Sequence, residues 1–158
     1  MPANEQATAL IKLLKRRGLT VSTAESITGG GLAEAFTSVP GSSAVFQGGL
    51  ITYSDVSKTK FLGVAKRVLN KHTAVSEEAA IQMAQSARAQ FKTDFAISTT
   101  GVAGPGRAYG QKVGTVWIAI DSKAGTTAVQ LALAGDRAQI RHATLESALA
   151  TFTRILIS

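Results

Sequence analysis

Hydrophobic and polar positions change period several times along the chain, and each change marks an element. Over residues 4–17, Ala7, Leu10, Ile11 and Leu14 fall at helical spacing with Lys12, Lys15 and Arg16 turned outward, which predicts an amphipathic helix. Basic residues in its last turn suit the helix dipole, and Gly18 supplies the stop. Leu19-Thr20-Val21-Ser22-Thr23 alternates and predicts a strand over 19–24, followed by a glycine turn and a helix over 29–38. Pro40-Gly41-Ser42-Ser43 ends that helix. Residues 44–53 are apolar and β-rich, interrupted by Gly48 and Gly49; glycines inside a strand mark a bulge or a close backbone approach to a ligand. Ser54 and Asp55 open a short helix closed by Gly63, and another short helix covers 65–70. Ser76, as N-cap with Glu77 and Glu78 in the first turn, starts a long helix to Phe91 whose inner stripe is Ala79, Ala80, Met83, Ala84 and Ala87.

Phe95–Thr100 reads as a strand running into a second glycine-rich loop, 101–106. Strands over 113–120 and 126–133, joined by the turn 121–125, form an antiparallel hairpin. The last helix, 136–156, buries Ile140, Ala143, Leu145, Ala148, Leu149, Phe152 and Leu156. Strands alternate with helices early and pair as a hairpin late. The expected fold is therefore α/β: a three-layer α/β/α sandwich around a mixed, mostly parallel sheet with a late antiparallel hairpin. Ligands in such sheets sit at the carboxyl ends of the parallel strands, and both glycine loops leave strands at that edge. With no repeat, linker or low-complexity tail, residues 1–158 read as a single domain.

Composition narrows the classes. At 158 residues, 45% hydrophobic and 17% charged, the chain can bury a core. No apolar run approaches the ~20 residues of a membrane helix. Met1-Pro2-Ala3-Asn4-Glu5 lacks the basic and apolar regions of a signal peptide, so a cytoplasmic location is expected. Cysteine is absent, which excludes disulfides and thiolate chemistry. A net charge of +7 suggests an anionic partner. The basic residues fall in short groups without interleaved aromatics, so nucleic acid is not the expected one.

Familiar catalytic motifs are missing. Gly29-Gly30-Gly31 is not followed by the Lys-Ser/Thr of a P-loop. His72 and His142 lie far apart in sequence and without carboxylates at ligand spacing, so neither a metal nor another cofactor is called for. What remains is hydroxyls, a lysine and backbone donors. The strand–turn–helix junction around Thr28, Gly29 and Gly30 aims N–H groups and a helix dipole at one point, an arrangement suited to a small anion. By residue type alone Ser26 reads as a helix N-cap, Lys58 as an exposed lysine, Glu25 as a turn carboxylate satisfied by backbone N–H groups, and Tyr53 as a half-buried strand residue. The alternative is a nucleophilic Ser26 with a desolvated Lys58 as base.

Pattern weighs on that choice. The ordered segments T-A-E-S-x-T-G-G, P-G-S-S-A-V-F-x-G-G-x-x-T-Y-S-x-x-x-K, L-G-V, A-V-S-E-E, T-G-V-A-G-P and V-G-T-V-W-I-A closely resemble the CinA C-terminal domain family, from about Leu19 to Asp136-Arg137. Characterised members of that family are nicotinamide-nucleotide amidases, which hydrolyse nicotinamide mononucleotide to nicotinate mononucleotide and ammonia. The resemblance implies that Ser26, Tyr53 and Lys58 carry serine–lysine amide hydrolysis in the cytoplasm, without metal or cofactor, on a small phosphorylated nucleotide. Glu25, Thr28, Gly29 and Gly30 are then expected at the substrate, facing Thr100, Gly101 and Gly104, with Arg137 and Arg141, one helical turn apart, as phosphate clamps. A homo-oligomer is expected from the same resemblance. The chain departs from the family in the loop Gly106-Arg107-Ala108-Tyr109-Gly110-Gln111-Lys112, where relatives usually read D-G-G-x-x-x-x-K-P, and at Ile27, where cysteine is frequent. The altered loop keeps a second reading open, a nucleotide-binding paralogue without turnover.

Overall fold

The computed structural model describes residues 4–158. Its elements follow in the order α1 (Glu5–Arg17), β1 (Val21–Glu25), α2 (Gly31–Thr37), β2 (Phe46–Ile51), α3 (Asp55–Leu62), α4 (Lys66–His72), α5 (Glu77–Phe91), β3 (Phe95–Gly101), β4 (Thr115–Ser122), β5 (Gly125–Ala132) and α6 (Arg137–Ile157). The five strands form one sheet in the order β2-β1-β3-β4-β5. β2, β1 and β3 pair in parallel, and β4 pairs antiparallel with both β3 and β5. Only β4 therefore runs against the other four strands, so the mixed, mostly parallel sheet with its late hairpin is the observed architecture.

Burial follows position in the sheet. Every residue of β1, next to the edge strand β2, is buried, whereas the two edge strands β2 and β5 largely alternate between more and less covered positions. One face is covered by α1, α2 and α6, through Leu10, Leu14, Leu32, Phe36, Leu149 and Phe152 packed on Val21, Ile97 and Ile118. The other face carries α5 with α3 and α4, where Ala79, Met83 and Ala87 meet Ala24, Ala96, Leu62 and Val68. The small inner stripe of α5 lets the helix lie close to the strands, and full burial of these groups drives the packing at ~25 cal/mol per Å2 of apolar surface.

Helix ends agree closely with the sequence signals. Asn4, Ser54, Ser76 and Asp136 cap α1, α3, α5 and α6 through their side chains. In the last helix the inner face is shifted: Thr144 and Thr151 are buried, whereas Ala143 and Leu145 are only half covered. The strand glycines serve the protein's own packing and not a ligand. A Cβ on Gly49 would stand 2.1 Å from Thr23 Oγ1, and one on Gly48 2.5 Å from the Phe91 ring. The β1–β2 register also slips there, Val21 facing Phe46 but Ser22 facing Gly48, which is a bulge at Gln47. No helix among the described residues is long and apolar enough to cross a membrane.

Candidate active site

The carboxyl ends of β1, β2 and β3 converge on one pocket of about 170 Å3. Ser26 follows the last residue of β1, and its N–H donates to the Thr99 carbonyl of β3 at 3.0 Å. Tyr53 stands two residues beyond β2, and Thr100 and Gly101 end β3. Three neighbouring parallel strands thus bring Ser26, Tyr53 and Thr100 together, and the loop between β3 and β4 lines the rest of the pocket.

At the floor, Lys58 Nζ donates to Ser26 Oγ at 2.9 Å and to the Thr52 carbonyl at 2.8 Å. The capping box of Ser54 and Ser57 starts α3 immediately after Tyr53, and Lys58 projects inward from the first turns of that helix. It is 1% exposed and, among the described residues, has no carboxylate within ion-pair distance, so burial dominates its chemistry. Desolvation pulls its pKa down to about 8, against a smaller opposing pull from Asp55. About a tenth of the group is then neutral at pH 7, far more than for an ordinary lysine, and that amine touches a serine hydroxyl. Reading Lys58 as an exposed surface lysine is therefore wrong: the apolar stem and ammonium are packed under the serine.

Ser26 is not a helix cap either. Gly30 is the N-cap of α2 and makes no side-chain cap bond. The capping role falls to Glu25, fully buried, whose carboxylate accepts from the N–H groups of Leu32 at 2.8 Å and Ala33 at 2.9 Å. The same carboxylate accepts from Thr28 Oγ1 at 2.7 Å, and Thr28 in turn meets Thr99 Oγ1 at 2.7 Å. The first N–H groups of α2 are consequently occupied by the protein's own anion. Gly29 N–H donates to the Ser26 carbonyl and Gly31 N–H to that of Thr28, at 3.1 and 2.9 Å. At the expected anion site, Thr28–Gly30, the Gly29 N–H is thus taken while those of Thr28 and Gly30 meet no protein acceptor among the described residues, and relief from capping leaves Ser26 Oγ free for Lys58. Gly29 and Gly30, at φ of 58° and 100°, allow the chain to turn this sharply.

Two arginines of α6 reach the same region differently. Arg141 donates to the carbonyls of Ile27 and Thr28, bracing the serine turn from outside. Arg137 donates to Tyr53 Oη at 2.7 Å and to the Gly104 carbonyl at 2.8 Å, tying two walls together at the mouth. Of the residues singled out in the sequence, Ser26, Tyr53, Lys58, Thr100, Gly101, Gly104 and Arg137 line the pocket. Glu25, Thr28, Gly29, Gly30 and Arg141 do not: they build and hold the serine turn behind it. Sequence reasoning missed Tyr109, which lines the pocket and approaches Asp55 Oδ1 at 3.4 Å. The signal was the Ala108-Tyr109-Gly110 turn inside a loop that departs from the family pattern. Neither histidine takes part. His72 lies 3.5 Å from Glu78, and His142 is on the exposed face of α6.

Comparison with known proteins gives a consistent picture. The family model for the CinA C-terminal domain matches residues 3–156. The chain is 46% identical over 138 residues to a putative competence-damage inducible protein of Caldanaerobacter subterraneus subsp. tengcongensis, covering 87% of this chain and 34% of that one. It is 42% identical over 147 residues to a CinA-like protein of Gemmatimonas aurantiaca, covering 92% and 34%. The chain thus spans about a third of the length of these relatives. Among solved structures, a competence/damage inducible protein of Agrobacterium tumefaciens superposes with a TM-score of 0.93 at 38% identity, covering 98% of this chain and 94% of that one. The competence damage-inducible protein A of Klebsiella pneumoniae subsp. pneumoniae MGH 78578 does so at 0.95 and 33%, covering 97% and 96%.

Proposed function

Because the chain belongs to the CinA C-terminal domain family, we propose that it is an amidase hydrolysing nicotinamide mononucleotide to nicotinate mononucleotide and ammonia, with Ser26 as nucleophile and Lys58 as its base. The observation that carries this reading is the 2.9 Å contact between a carboxylate-free buried lysine and a serine hydroxyl at the end of a strand. Neutral Lys58 takes the Ser26 proton as Oγ bonds to the carboxamide carbon. The resulting ammonium protonates the departing nitrogen, and the C–N bond breaks to leave a Ser26 ester and ammonia. Water, deprotonated by Lys58, then cleaves the ester, releases the carboxylate and restores Ser26. The Ile27 N–H, which has no backbone acceptor among the described residues, is the candidate donor to the oxyanion.

The size and charge of the pocket fit one end of such a substrate. At about 170 Å3 it is smaller than the ~300 Å3 at which pockets for whole drug-sized ligands begin, so the amide-bearing ring enters and the ribose phosphate lies across the mouth. The charged side chains in the lining are Lys58 and Arg137, both basic, and Arg137 sits where a phosphate would arrive. The test is release of ammonia and nicotinate mononucleotide by purified protein without added metal, run beside Ser26→Ala. Binding of the nucleotide with no product in the wild-type protein would refute the amidase. That outcome is the second reading, a nucleotide-binding paralogue, favoured by the altered loop: Gly106, Ala108 and Tyr109 are part of the pocket wall. It would show as a ligand-dependent rise in Tm alone.

A further inference from the structure

The two tyrosines of the chain are the only aromatic residues in the pocket lining, and both are held by their hydroxyls. Tyr53 Oη accepts from Arg137 at 2.7 Å, and Tyr109 Oη donates to Asp55 Oδ1 at 3.4 Å. The rest of the lining is mostly small or aliphatic, such as Ala74, Val75, Val102 and Ala103. Tyr109 also occupies an unusual backbone position. Its φ is 54°, followed by Gly110 at 70°, in a two-residue turn closed by the Ala108–Gln111 bridge. Non-glycine residues other than Asn, Asp and His rarely adopt that conformation, and a bulky residue there marks a site to be explained. The turn itself has no need of an aromatic ring. What the ring does is cover the pocket above α3, with a carboxylate behind its hydroxyl.

A ring face flanked by a carboxylate attracts a cationic ring more strongly than a neutral ring of the same shape. The pyridine ring of nicotinamide mononucleotide carries a fixed positive charge at the nitrogen bonded to ribose. We propose that Tyr109, positioned by Asp55, is a specificity-determining residue that selects amides borne on a cationic, N-substituted pyridinium ring over neutral aromatic amides. This assignment rests on the amidase reading for its substrate class, but it concerns binding and not turnover.

The test measures binding in the Ser26→Ala protein, where no product forms, with nicotinamide mononucleotide and its neutral dihydropyridine form as paired probes. The pair share ribose, phosphate and carboxamide and differ in ring charge and the ring's hydride. Cation–ring attraction, from the strength seen at an exposed ring to that at a desolvated one, corresponds to a preference of about 5- to 30-fold for the oxidised form. Tyr109→Asn keeps the turn, because Asn tolerates positive φ, and should bring the preference to within about twofold of unity. Tyr109→Phe keeps the ring face and should keep most of the preference. Equal affinities in the Ser26→Ala parent, no binding of either probe, or an undiminished preference in Tyr109→Asn would each overturn the assignment. So would collapse in Asp55→Asn with Tyr109→Asn unaffected, which would place the selection on the carboxylate alone. Ammonia release by the wild-type protein is scored separately, so failure of the amidase reading and failure of this inference give different results.

Discussion

The pocket has two unlike walls. The serine wall, Glu25 to Gly31, is held from every side: by Glu25 beneath α2, by β3 through Thr99, by Lys58 under the hydroxyl and by Arg141 from α6. The loop wall, Gly104 to Lys112, rests on an Arg137 contact to Gly104, a 3.4 Å approach of Tyr109 to Asp55 and a single two-residue turn. Ser26 is 8% exposed and Tyr109 44%. The contrast assigns tasks. On the amidase reading, the proposed nucleophile Ser26 and base Lys58, which need a fixed geometry through the reaction, sit where the sheet over-determines the backbone. The proposed selectivity residue, Tyr109, sits on a loop that can change without disturbing the sheet.

The sharpest way to break that division is at Lys58. Lys58→Met should lower turnover of nicotinamide mononucleotide by about 1,000-fold or more, since it removes the base hydrogen-bonded to Ser26. Its effect on stability should have the opposite sign. The folded state holds Lys58 at a pKa of about 8 against 10.5 in the unfolded chain, so between those values the unfolded state binds more protons. Stability contributed by this group therefore rises with pH across the window 8 to 10.5, and below pH 8 the full penalty of about 3 kcal/mol applies. The methionine variant should be at least as stable as the wild type at pH 7 in urea unfolding, with the advantage fading by pH 10. A marked destabilisation at pH 7 would mean that Lys58 holds the wall together. In kinetics the same proton sets the profile: log kcat/KM should climb with unit slope below pH 8 and level off above it.

Glu25→Gln attacks the serine wall without touching the pocket. The carboxylate accepts from two backbone N–H groups and two hydroxyls while buried, and an amide would turn an N–H2 toward one of those donors. Loss of about 2–4 kcal/mol is expected, read as a lower urea midpoint. A change below 1 kcal/mol would show that the turn stands without its anion.

Much of this was legible in the sequence for physical reasons. Element types followed from period, and several ends followed from caps and stops, so Gly18, Ser54 and Ser76 fall where the signals put them. The carboxyl-edge location followed from parallel strands leaving into glycine loops. What residue types could not separate was the direction of short side chains around one turn. Glu25 and Ser26 are adjacent, either has the chemistry of a cap, and only strand register turns one under the helix and the other into the pocket. Lys58 was hidden for a related reason: α3 is eight residues long with no apolar stripe to orient it, so periodicity carried no sign of which face was inward. Tyr109 was hidden because a turn's sequence reports its backbone and not what its side chain covers.

On the loop wall the expected effects are smaller and fall on binding. Arg137→Gln removes the donors that join Tyr53 to Gly104 and the basic group at the mouth. KM for nicotinamide mononucleotide should rise about tenfold with kcat within threefold, the pattern of lost ground-state binding. A tenfold fall in kcat with unchanged KM would move Arg137 to the reacting wall.

The smallest effect is the most discriminating for the contrast as a whole. Tyr109→Gly removes a backbone conformation that costs roughly 1 kcal/mol in an L-residue, because glycine adopts φ near 54° freely. Against that gain stand the added entropy of a glycine in the unfolded chain, about 0.5–1 kcal/mol, and the lost cover of a ring that is already 44% exposed. These contributions are of similar size and opposite sign, so the urea midpoint should move by less than the equivalent of about 0.5 kcal/mol. If instead the protein loses 1.5 kcal/mol or more, the ring is a strut of the fold, and the two walls differ less than their contacts suggest. A near-zero change in stability beside a weakened grip on the nucleotide would leave Tyr109 with a role that folding does not require.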